Sequence, residues 1–207
     1  MLKIHGRANS LNVRKVLWLA DEMGLAFERQ DWGRGYRSLD EPEYRCLNPF
    51  GVVPTVDDDG FVLRESNTIL RYLAASRGRD DLYPAEHRAR AGVEAWMDWA
   101  STELLTGCRV VFLGKVVGVE PYTSSEQTAA HLAMWTRHMQ LLDDHLAGAG
   151  PYLTGASFTL ADIPVGLIVH RWHAIDIARP ALAGVAAYYD LLSQRPAFLA
   201  HGRNGLP

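Results

Sequence analysis

The chain has 207 residues, 48% of them hydrophobic, and a formal net charge of −3. It is long enough for one large domain or two small ones, and it lacks the basic face that nucleic acids require. The sequence contains no run of eighteen apolar residues, so no membrane helix is predicted. Lys3, His5 and Arg7 interrupt the apolar region that a signal peptide would need near the N-terminus. The two cysteines, Cys46 and Cys108, cannot form a disulfide framework or a CxxC pair. We therefore expect a cytoplasmic protein that binds neither membranes nor nucleic acids.

The first eighty residues alternate between strand-like and helical patterns. Short strands are predicted at residues 2–5, 27–31, 55–56 and 61–63, and helices at 10–23, 42–47 and 66–76. Gly24 is a stop signal after the first helix, and the run Asp57-Asp58-Asp59-Gly60 predicts a hairpin turn. This βαβαββα order is typical of a thioredoxin-like α/β domain, predicted at residues 1–78.

The chain changes character after a charged segment that contains Pro84. Residues 79–86 are predicted to form a linker, and no convincing strand follows it. Helical periodicity appears at about 86–118, 124–147, 160–175, 181–194 and 196–202. We therefore predict an all-α C-terminal domain at residues 87–207.

Four segments carry a resemblance to a known family: NSLNVR at 9–14, LNPFGVVP at 47–54, LRESNTILRYL at 63–73 and TGASFTLAD at 154–162. Each is weak alone, but all four in this order are specific. Over nearly its whole length the chain resembles the cytosolic glutathione transferases, and most closely the bacterial serine-type members related to the theta, zeta and nu groups. The resemblance implies the glutathione transferase fold and a homodimer. It also implies glutathione as co-substrate, a small hydrophobic electrophile, and no tightly bound cofactor.

Ser10 stands at the start of the first predicted helix, where the resemblance implies a catalytic serine. Its family counterpart donates a hydrogen bond to the glutathione sulfur and favours the nucleophilic thiolate. Lowering a thiol pKa by about two units needs roughly 2.7 kcal/mol. One charge-assisted hydrogen bond supplies about 1.5–3 kcal/mol, and a helix N-terminus about 0.3–1 kcal/mol. The alternative is that Ser10 only caps the helix, as Asn9 or Asn12 could; the two roles are compatible.

Asn12 is the second candidate for the thiolate donor. Nu-type relatives carry a Thr at the Ser10 position and an Asn two residues later, and an Asn amide can also donate to a thiolate. If Asn12 is the main donor, the resemblance implies glutathione-dependent reduction of disulfides or peroxides instead. No cysteine stands at the site, and we expect Cys46 and Cys108 to be buried and without a catalytic role.

Val53-Pro54 corresponds to the cis-proline turn of thioredoxin-like folds. The resemblance implies that the backbone N–H and C=O of Val53 pair with the cysteinyl unit of glutathione, as a neighbouring strand would. Many relatives carry Lys, Arg or Gln at the position of Val52, where the side chain helps to hold the glycyl carboxylate. Because Val52 cannot do this, that end of the ligand must be held otherwise or more weakly.

Glu65 and Ser66 open the third predicted helix. The resemblance implies that Ser66 receives the γ-glutamyl carboxylate at the positive end of the helix dipole, and that Glu65 accepts the ligand ammonium. The alternative is an ordinary serine cap beside an acid.

The electrophile pocket is implied to lie where the helical domain faces the glutathione site. Its candidate residues are Leu11, Trp99, Arg109, Phe112 and Trp172. Each has a simpler interpretation: Trp96 and Trp99 share one helix face that is more often core, and Arg109 can pair with an acid.

The helical domain offers two other sets of polar residues. His170 and His173 flank Trp172 without an acidic partner at ligand spacing, so no metal site is predicted. Thr159 and Asp162 form a capping-box-like helix start, and Asp162 is interpreted as structural.

A non-enzymatic role, as a carrier of hydrophobic ligands or an assembly module, is the alternative from a different class. Intact Ser10, Pro54, Glu65 and Ser66 weigh against it. For the implied homodimer, Arg64, Arg71 and Trp96 are candidates for the interface.

Overall fold

The computed structural model describes residues 1–205, which divide into two compact units. The first comprises Met1–Arg79 together with Pro196–Gly205, and the second comprises Asp80–Arg195. Each unit is described by itself below.

The first unit is built on a four-stranded sheet. Its strands are β1 (Leu2–His5), β2 (Phe27–Gln30), β3 (Thr55–Asp58) and β4 (Phe61–Arg64), in the order β2-β1-β3-β4. β1 runs parallel to β2 and antiparallel to β3, which forms a hairpin with β4. Ile4, in the middle of β1, faces Arg29 of β2 and Val56 of β3 in the register. The mixed sheet agrees with the predicted thioredoxin-like fold.

Four helices accompany this sheet: α1 (Leu11–Glu22), α2 (Pro42–Leu47), α3 (Ser66–Ser76) and α9 (Pro196–His201). Between Val13 and Ala20, α1 is buried on every side, because it contacts both α3 and α9. The Arg14 guanidinium donates to the carbonyl oxygens of Gly202 (3.2 Å) and Gly205 (2.9 Å), which ties the C-terminal segment to α1.

The second unit is helical. One continuous helical stretch contains α4 (His87–Trp99) and α5 (Leu105–Phe112), with π-helical turns at Ala100–Leu104 and Leu113–Val117. It is followed by α6 (Ser125–Ala149), α7 (Asp162–Ala174) and α8 (Ala183–Leu192). From Asp162 to Trp172, α7 is buried at every position, and Trp172 packs edge-on against Trp135 at 5.1 Å. Together, the α/β unit and the helical unit confirm the predicted fold class.

Asp162 begins α7 as a fully buried carboxylate that four donors satisfy. Its Oδ1 accepts from the Leu153 backbone N–H (3.1 Å) and the Tyr188 hydroxyl (2.9 Å). Its Oδ2 accepts from the Thr159 backbone N–H (2.8 Å) and hydroxyl (3.3 Å). Burial raises the pKa of Asp162 to about 6, although these hydrogen bonds favour the ionised form. These contacts hold the helix start against the preceding loop, which agrees with the structural interpretation.

The expectation that both cysteines are buried is wrong for Cys46. Cys108 is fully buried on α5, and burial raises the pKa of its thiol. Cys46 is exposed, because it lies on the six-residue α2, where Tyr44 is the one buried residue. Of the six residues of this helix, Tyr44 is the one that is buried, and Cys46 faces solvent.

Candidate functional site

Ser10 is placed at the N-cap of α1 without capping it through its side chain. Its backbone is extended (φ −82°, ψ 129°), and its carbonyl accepts the first helical hydrogen bond from Arg14 N–H at 2.9 Å. Its own N–H donates to the Arg7 carbonyl at 3.1 Å, which closes the β1–α1 loop. The side chain is 9% exposed, and the hydroxyl makes no capping hydrogen bond. The hydroxyl is therefore held at a helix N-terminus with no role in capping that helix.

The Val53-Pro54 turn packs against Gly6, the residue that follows β1. A Cβ on Gly6 would lie 2.5 Å from Cγ2 of Val13 and 3.1 Å from Cβ of Val53, and the φ of Gly6 is +150°. Only glycine therefore allows the turn and the start of α1 to meet here. The Val53-Pro54 peptide bond is cis, as the resemblance implies.

Tyr44 and Asn48 hold this turn, a role that was not predicted for either residue. The carbonyl of Val52 accepts from the Tyr44 hydroxyl at 2.6 Å and from Asn48 Nδ2 at 2.8 Å. Asn48 Nδ2 also donates to the Thr55 hydroxyl at 3.0 Å, and Asn48 Oδ1 accepts from Phe50 N–H at 3.0 Å. Burial raises the pKa of Tyr44, which keeps its phenol protonated as a donor. The sequence signal was the asparagine before Pro49, a residue type that bonds to nearby backbone.

Val52 itself presents no polar group at the turn. Its side chain is 47% exposed, and its carbonyl is already used by Tyr44 and Asn48. The Val52 side chain therefore offers no donor or positive charge to a carboxylate at this turn.

Glu65 and Ser66 form the start of α3. Glu65 is exposed and has a φ of +68°, a left-handed conformation that costs a residue with a side chain about 1–3 kcal/mol. Such backbone strain occurs most often at functional sites, which makes it a pointer to function here. Ser66 is the first residue of the helix and is buried, so its backbone N–H is one of the donors left unpaired by helical geometry.

A hydrogen-bonded cluster joins the starts of α1 and α3. The Ser66 hydroxyl donates to Asn12 Oδ1 at 3.3 Å, and Lys15 Nζ donates to Ser66 Oγ and Asn67 Oδ1, each at 3.3 Å. Asn12 and Ser66, predicted separately, are thus brought together. Lys15 was missed; its sequence signal was a charge within the apolar run of α1.

These features give the first unit a site with donors from two helix starts beside a cis-proline turn. A helix N-terminus favours an anion, and the neighbouring hydroxyl and amide groups supply oriented hydrogen bonds. Such an arrangement suits a small peptide that carries a carboxylate and a thiol.

The candidate electrophile-pocket residues fall in several environments. Leu11 is buried at the first position of α1 in the first unit. Trp99 lines a cavity of about 240 Å³ with Ala95, Trp96 and Leu141, and Trp172 lines another of about 430 Å³ that includes Leu182 and Val185. Phe112 is buried beneath the Arg171 guanidinium, 3.9 Å from its ring centroid, whereas Arg109 is exposed on α5. The pocket stays a prediction.

Residues 1–205 contain no group of three or more His, Cys, Asp and Glu side chains arranged to hold a metal ion. Across the same residues, each helix is too short or too polar to span a bilayer.

Comparison with known proteins identifies the family. Residues 9–76 match the family model of the glutathione S-transferase N-terminal domain. The chain is 32% identical over 201 residues to glutathione S-transferase GstB of Escherichia coli strain K12, covering 95% of both chains. It is also 32% identical over 211 residues to glutathione S-transferase 3 of Zea mays, covering 95% of this chain and 91% of the maize protein.

A solved structure of the same family is also similar to this chain. The glutathione-bound theta class glutathione S-transferase of Xanthomonas axonopodis pv. citri is 39% identical, with a TM-score of 0.93. The alignment covers 100% of this chain and 99% of that one. At the level of the family, these similarities confirm the predicted resemblance and the predicted enzyme class. The chain therefore belongs to the glutathione S-transferase family.

Proposed function

We propose that this protein is a glutathione transferase in which the Ser10 hydroxyl donates a hydrogen bond to the glutathione sulfur and stabilises the thiolate. The observation that carries the proposal is the hydroxyl at the N-terminus of α1, which makes no capping hydrogen bond. The positive end of the helix dipole and one hydroxyl donor act on the same sulfur. Together they match the roughly 2.7 kcal/mol that a thiol pKa about two units lower requires.

The glutathione backbone would be held by the turn and by α3. The N–H and C=O of Val53 pair with the cysteinyl unit. Tyr44 and Asn48 keep the turn in place, because both donate to the carbonyl of the neighbouring Val52. Ser66 receives the γ-glutamyl carboxylate through its hydroxyl and backbone N–H. Glu65, exposed beside it, accepts the ligand ammonium.

The reaction is a nucleophilic substitution or addition at carbon. The thiol proton leaves to solvent, and the thiolate electron pair forms the new C–S bond with the electrophile. In a substitution, the leaving group departs with the electrons of the broken bond. In an addition, the π electrons of the electrophile's double bond move to its far atom, which takes up a proton from solvent. We propose a small hydrophobic molecule as the electrophile.

The test measures the ultraviolet thiolate absorbance of bound glutathione against pH, in the native protein and in Ser10→Ala. We expect ionisation near neutral pH in the native protein, and a thiol pKa raised by about one to two units in the variant. Ser124→Ala is the matched control, because Ser124 is also an N-cap serine without a side-chain capping bond. An unchanged thiol pKa in Ser10→Ala would refute the role of Ser10.

Asn12 supports a second candidate function, glutathione-dependent reduction of disulfides or peroxides. Its Oδ1 accepts from Ser66, so its Nδ2 is the end of the amide that remains able to donate to sulfur. If Asn12→Ala raises the thiol pKa and Ser10→Ala does not, this candidate replaces the first. Glutathione binding with neither conjugation nor reduction would indicate a non-enzymatic ligand carrier.

We propose in addition that the protein is a cytoplasmic homodimer. Leu141 is 55% exposed beside the half-buried Trp96 and Trp99, so an apolar patch is available on the second unit. Sedimentation velocity over a range of protein concentrations measures the oligomeric state, and a monomer throughout would refute this part.

A further inference from the structure

Among residues 1–205, Arg7 and Arg34 form no hydrogen bond or ion pair through their guanidinium groups. Arg7 directly follows Gly6, which packs against the Val53-Pro54 turn, and its side chain is half-buried, whereas Arg34 is exposed. The carboxylates of residues 31–43 are all occupied by other arginines: Asp31 by Arg29, Asp40 by Arg45, and Glu41 and Glu43 by Arg37. An anion that reaches Arg7 and Arg34 would therefore gain from both positive charges.

A tight turn after β2 presents Arg34 at its tip. The Tyr36 N–H donates to the Gly33 carbonyl at 2.8 Å, which makes Arg34 and Gly35 the central residues of the turn. The φ of Gly35 is +85°, a left-handed value that glycine adopts at little cost. The backbone therefore fixes the point at which the Arg34 side chain leaves the turn.

The same turn is joined to Arg7. The Arg7 N–H donates to the Trp32 carbonyl at 3.1 Å, and Arg7 Nη1 lies 3.1 Å from the position that a Cβ on Gly33 would take. The Arg7 guanidinium thus lies against the residue that precedes Arg34. Burial lowers the pKa of Arg7, and the nearby positive charge of Arg34 lowers it further. Two cations held this close repel each other, and an anion bound to both offsets that repulsion.

The order of the strands sets this pair of arginines apart from the start of α3. In register, His5 of β1 faces both Gln30 of β2 and Thr55 of β3. Thr55 in turn faces Arg64 of β4, so the four strand ends lie in a row. The two arginines follow β1 and β2, the Val53-Pro54 turn precedes β3, and α3 follows β4.

The length of this row suits an extended tripeptide. Neighbouring strands are about 4.8 Å apart, so the row measures about 14 Å from β2 to β4. An extended tripeptide covers about 10 Å of this distance, and the methylene groups of a γ-glutamyl linkage and the long arginine side chains cover the rest. A ligand held at α3 by one end therefore brings its other end to the arginines.

We propose that Arg7 and Arg34 bind the glycyl carboxylate of glutathione, an assignment that rests on the proposed function. With the γ-glutamyl carboxylate at Ser66 and the cysteinyl unit at Val53, the glycyl end extends toward β2. A guanidinium donates parallel N–H bonds to the two oxygens of a carboxylate, which suits this end of the ligand. The two arginines thus supply the positive charge that the Val52 side chain lacks.

The test is calorimetric titration of native protein, Arg7→Met and Arg34→Met with two tripeptides. One is glutathione, and the other is its glycinamide analogue, in which a neutral amide replaces the glycyl carboxylate. We expect the native protein to bind the analogue about 10- to 50-fold more weakly than glutathione, as for a lost charge-assisted interaction.

The variants should lose affinity for glutathione alone. Arg7→Met should raise the Kd for glutathione about tenfold. Arg34→Met should raise it about two- to fivefold, because solvent screens an exposed charge. For the glycinamide analogue, neither substitution should change the Kd by more than about 1.5-fold, since the interacting group is already absent.

Two controls separate this contact from general electrostatics and from folding. Arg37→Met removes one positive charge next to the same turn, but this guanidinium is paired with Glu41 and Glu43, so glutathione affinity should be retained. Methionine keeps an unbranched stem in place of arginine, so the thermal midpoints should be retained. Because Arg34 is exposed at the tip of the turn, its variant tests the proposal even if Arg7→Met is less stable.

Each outcome decides a different point. Native glutathione affinity in both Arg7→Met and Arg34→Met overturns the assignment and leaves the proposed function intact. The assignment also fails if the variants weaken both tripeptides equally, if Arg37→Met weakens glutathione binding as much, or if the native protein binds both tripeptides equally well. If the native protein binds neither tripeptide, the proposed function and the assignment fail together.

Discussion

Asp162 offers the sharpest test of how the second unit is stabilised. Replacing it with alanine removes the acceptor for four donors, of which the Leu153 and Thr159 backbone N–H groups are buried. The Tyr188 hydroxyl keeps a weaker partner, the Asp162 carbonyl at 3.4 Å. Unlike a surface ion pair, this site cannot recruit water easily, because the carboxylate itself is fully buried.

The expected destabilisation of Asp162→Ala follows from these orphaned groups. Each buried backbone donor left without a partner costs about 1–3 kcal/mol, so the variant should lose about 3–5 kcal/mol at pH 7. That is a large share of the roughly 5–15 kcal/mol that stabilises a typical protein. Asp162→Asn keeps the volume and one acceptor oxygen, and should lose less, about 1.5–3 kcal/mol.

The pH dependence gives a second, independent readout. Burial raises the pKa of Asp162 from 3.8 to about 6, so between these values the folded state binds more protons than the unfolded state. The contribution of Asp162 to stability is therefore present below about pH 4 and is lost as the pH rises through about 6, by about 3 kcal/mol in all. Asp162→Asn should lack this slope.

Urea unfolding followed by circular dichroism, at pH 4.5 and pH 7, measures both effects in native protein and variants. A loss below about 1 kcal/mol in Asp162→Ala would show that the four hydrogen bonds do not stabilise the helix start. The same pH slope in native protein and Asp162→Asn would contradict the raised pKa.

Two further predictions concern the first unit and the cysteines. Asn48→Ala removes three hydrogen bonds from the proline turn, so we expect a loss of about 2–4 kcal/mol in urea unfolding and a higher KM for glutathione. Unchanged stability and KM would contradict the support assigned to Asn48. A thiol reagent that releases a coloured product should modify Cys46 in the native protein and Cys108 only after denaturation, because the latter is buried with a raised pKa. Two rapidly reacting thiols would be inconsistent with this burial.

Local patterns predicted much of the architecture. The strands and helices lie within a few residues of the predicted bounds, because alternation and helical periodicity record which face of each element is buried. Ser10, Ser66 and Asp162 were located as residues at helix starts, because hydroxyl and carboxylate side chains precede or open apolar helical runs. The π-helical turns after Trp99 and Phe112 had no such signal.

Contacts between distant segments decided what the patterns could not show. Cys46 was expected to be buried. It is exposed because, of the residues of α2, Tyr44 alone is buried against the rest of the unit. Lys15 and Ser66 are 51 positions apart, so their hydrogen bond has no counterpart in local spacing. The support of Val52 by Tyr44 and Asn48 likewise depends on how α2 and the turn approach each other.

By itself, the sequence determined the order of the elements, the family and the residues that stand at the starts of α1 and α3. These properties depend on side-chain type and near-neighbour spacing, which a single chain displays directly. Only the tertiary structure decided that the Ser10 hydroxyl makes no capping bond, that Asn12 and Ser66 meet, and that Lys15 is buried behind them. The physical reason is that donor direction and desolvation depend on packing, which brings together groups that the sequence holds far apart.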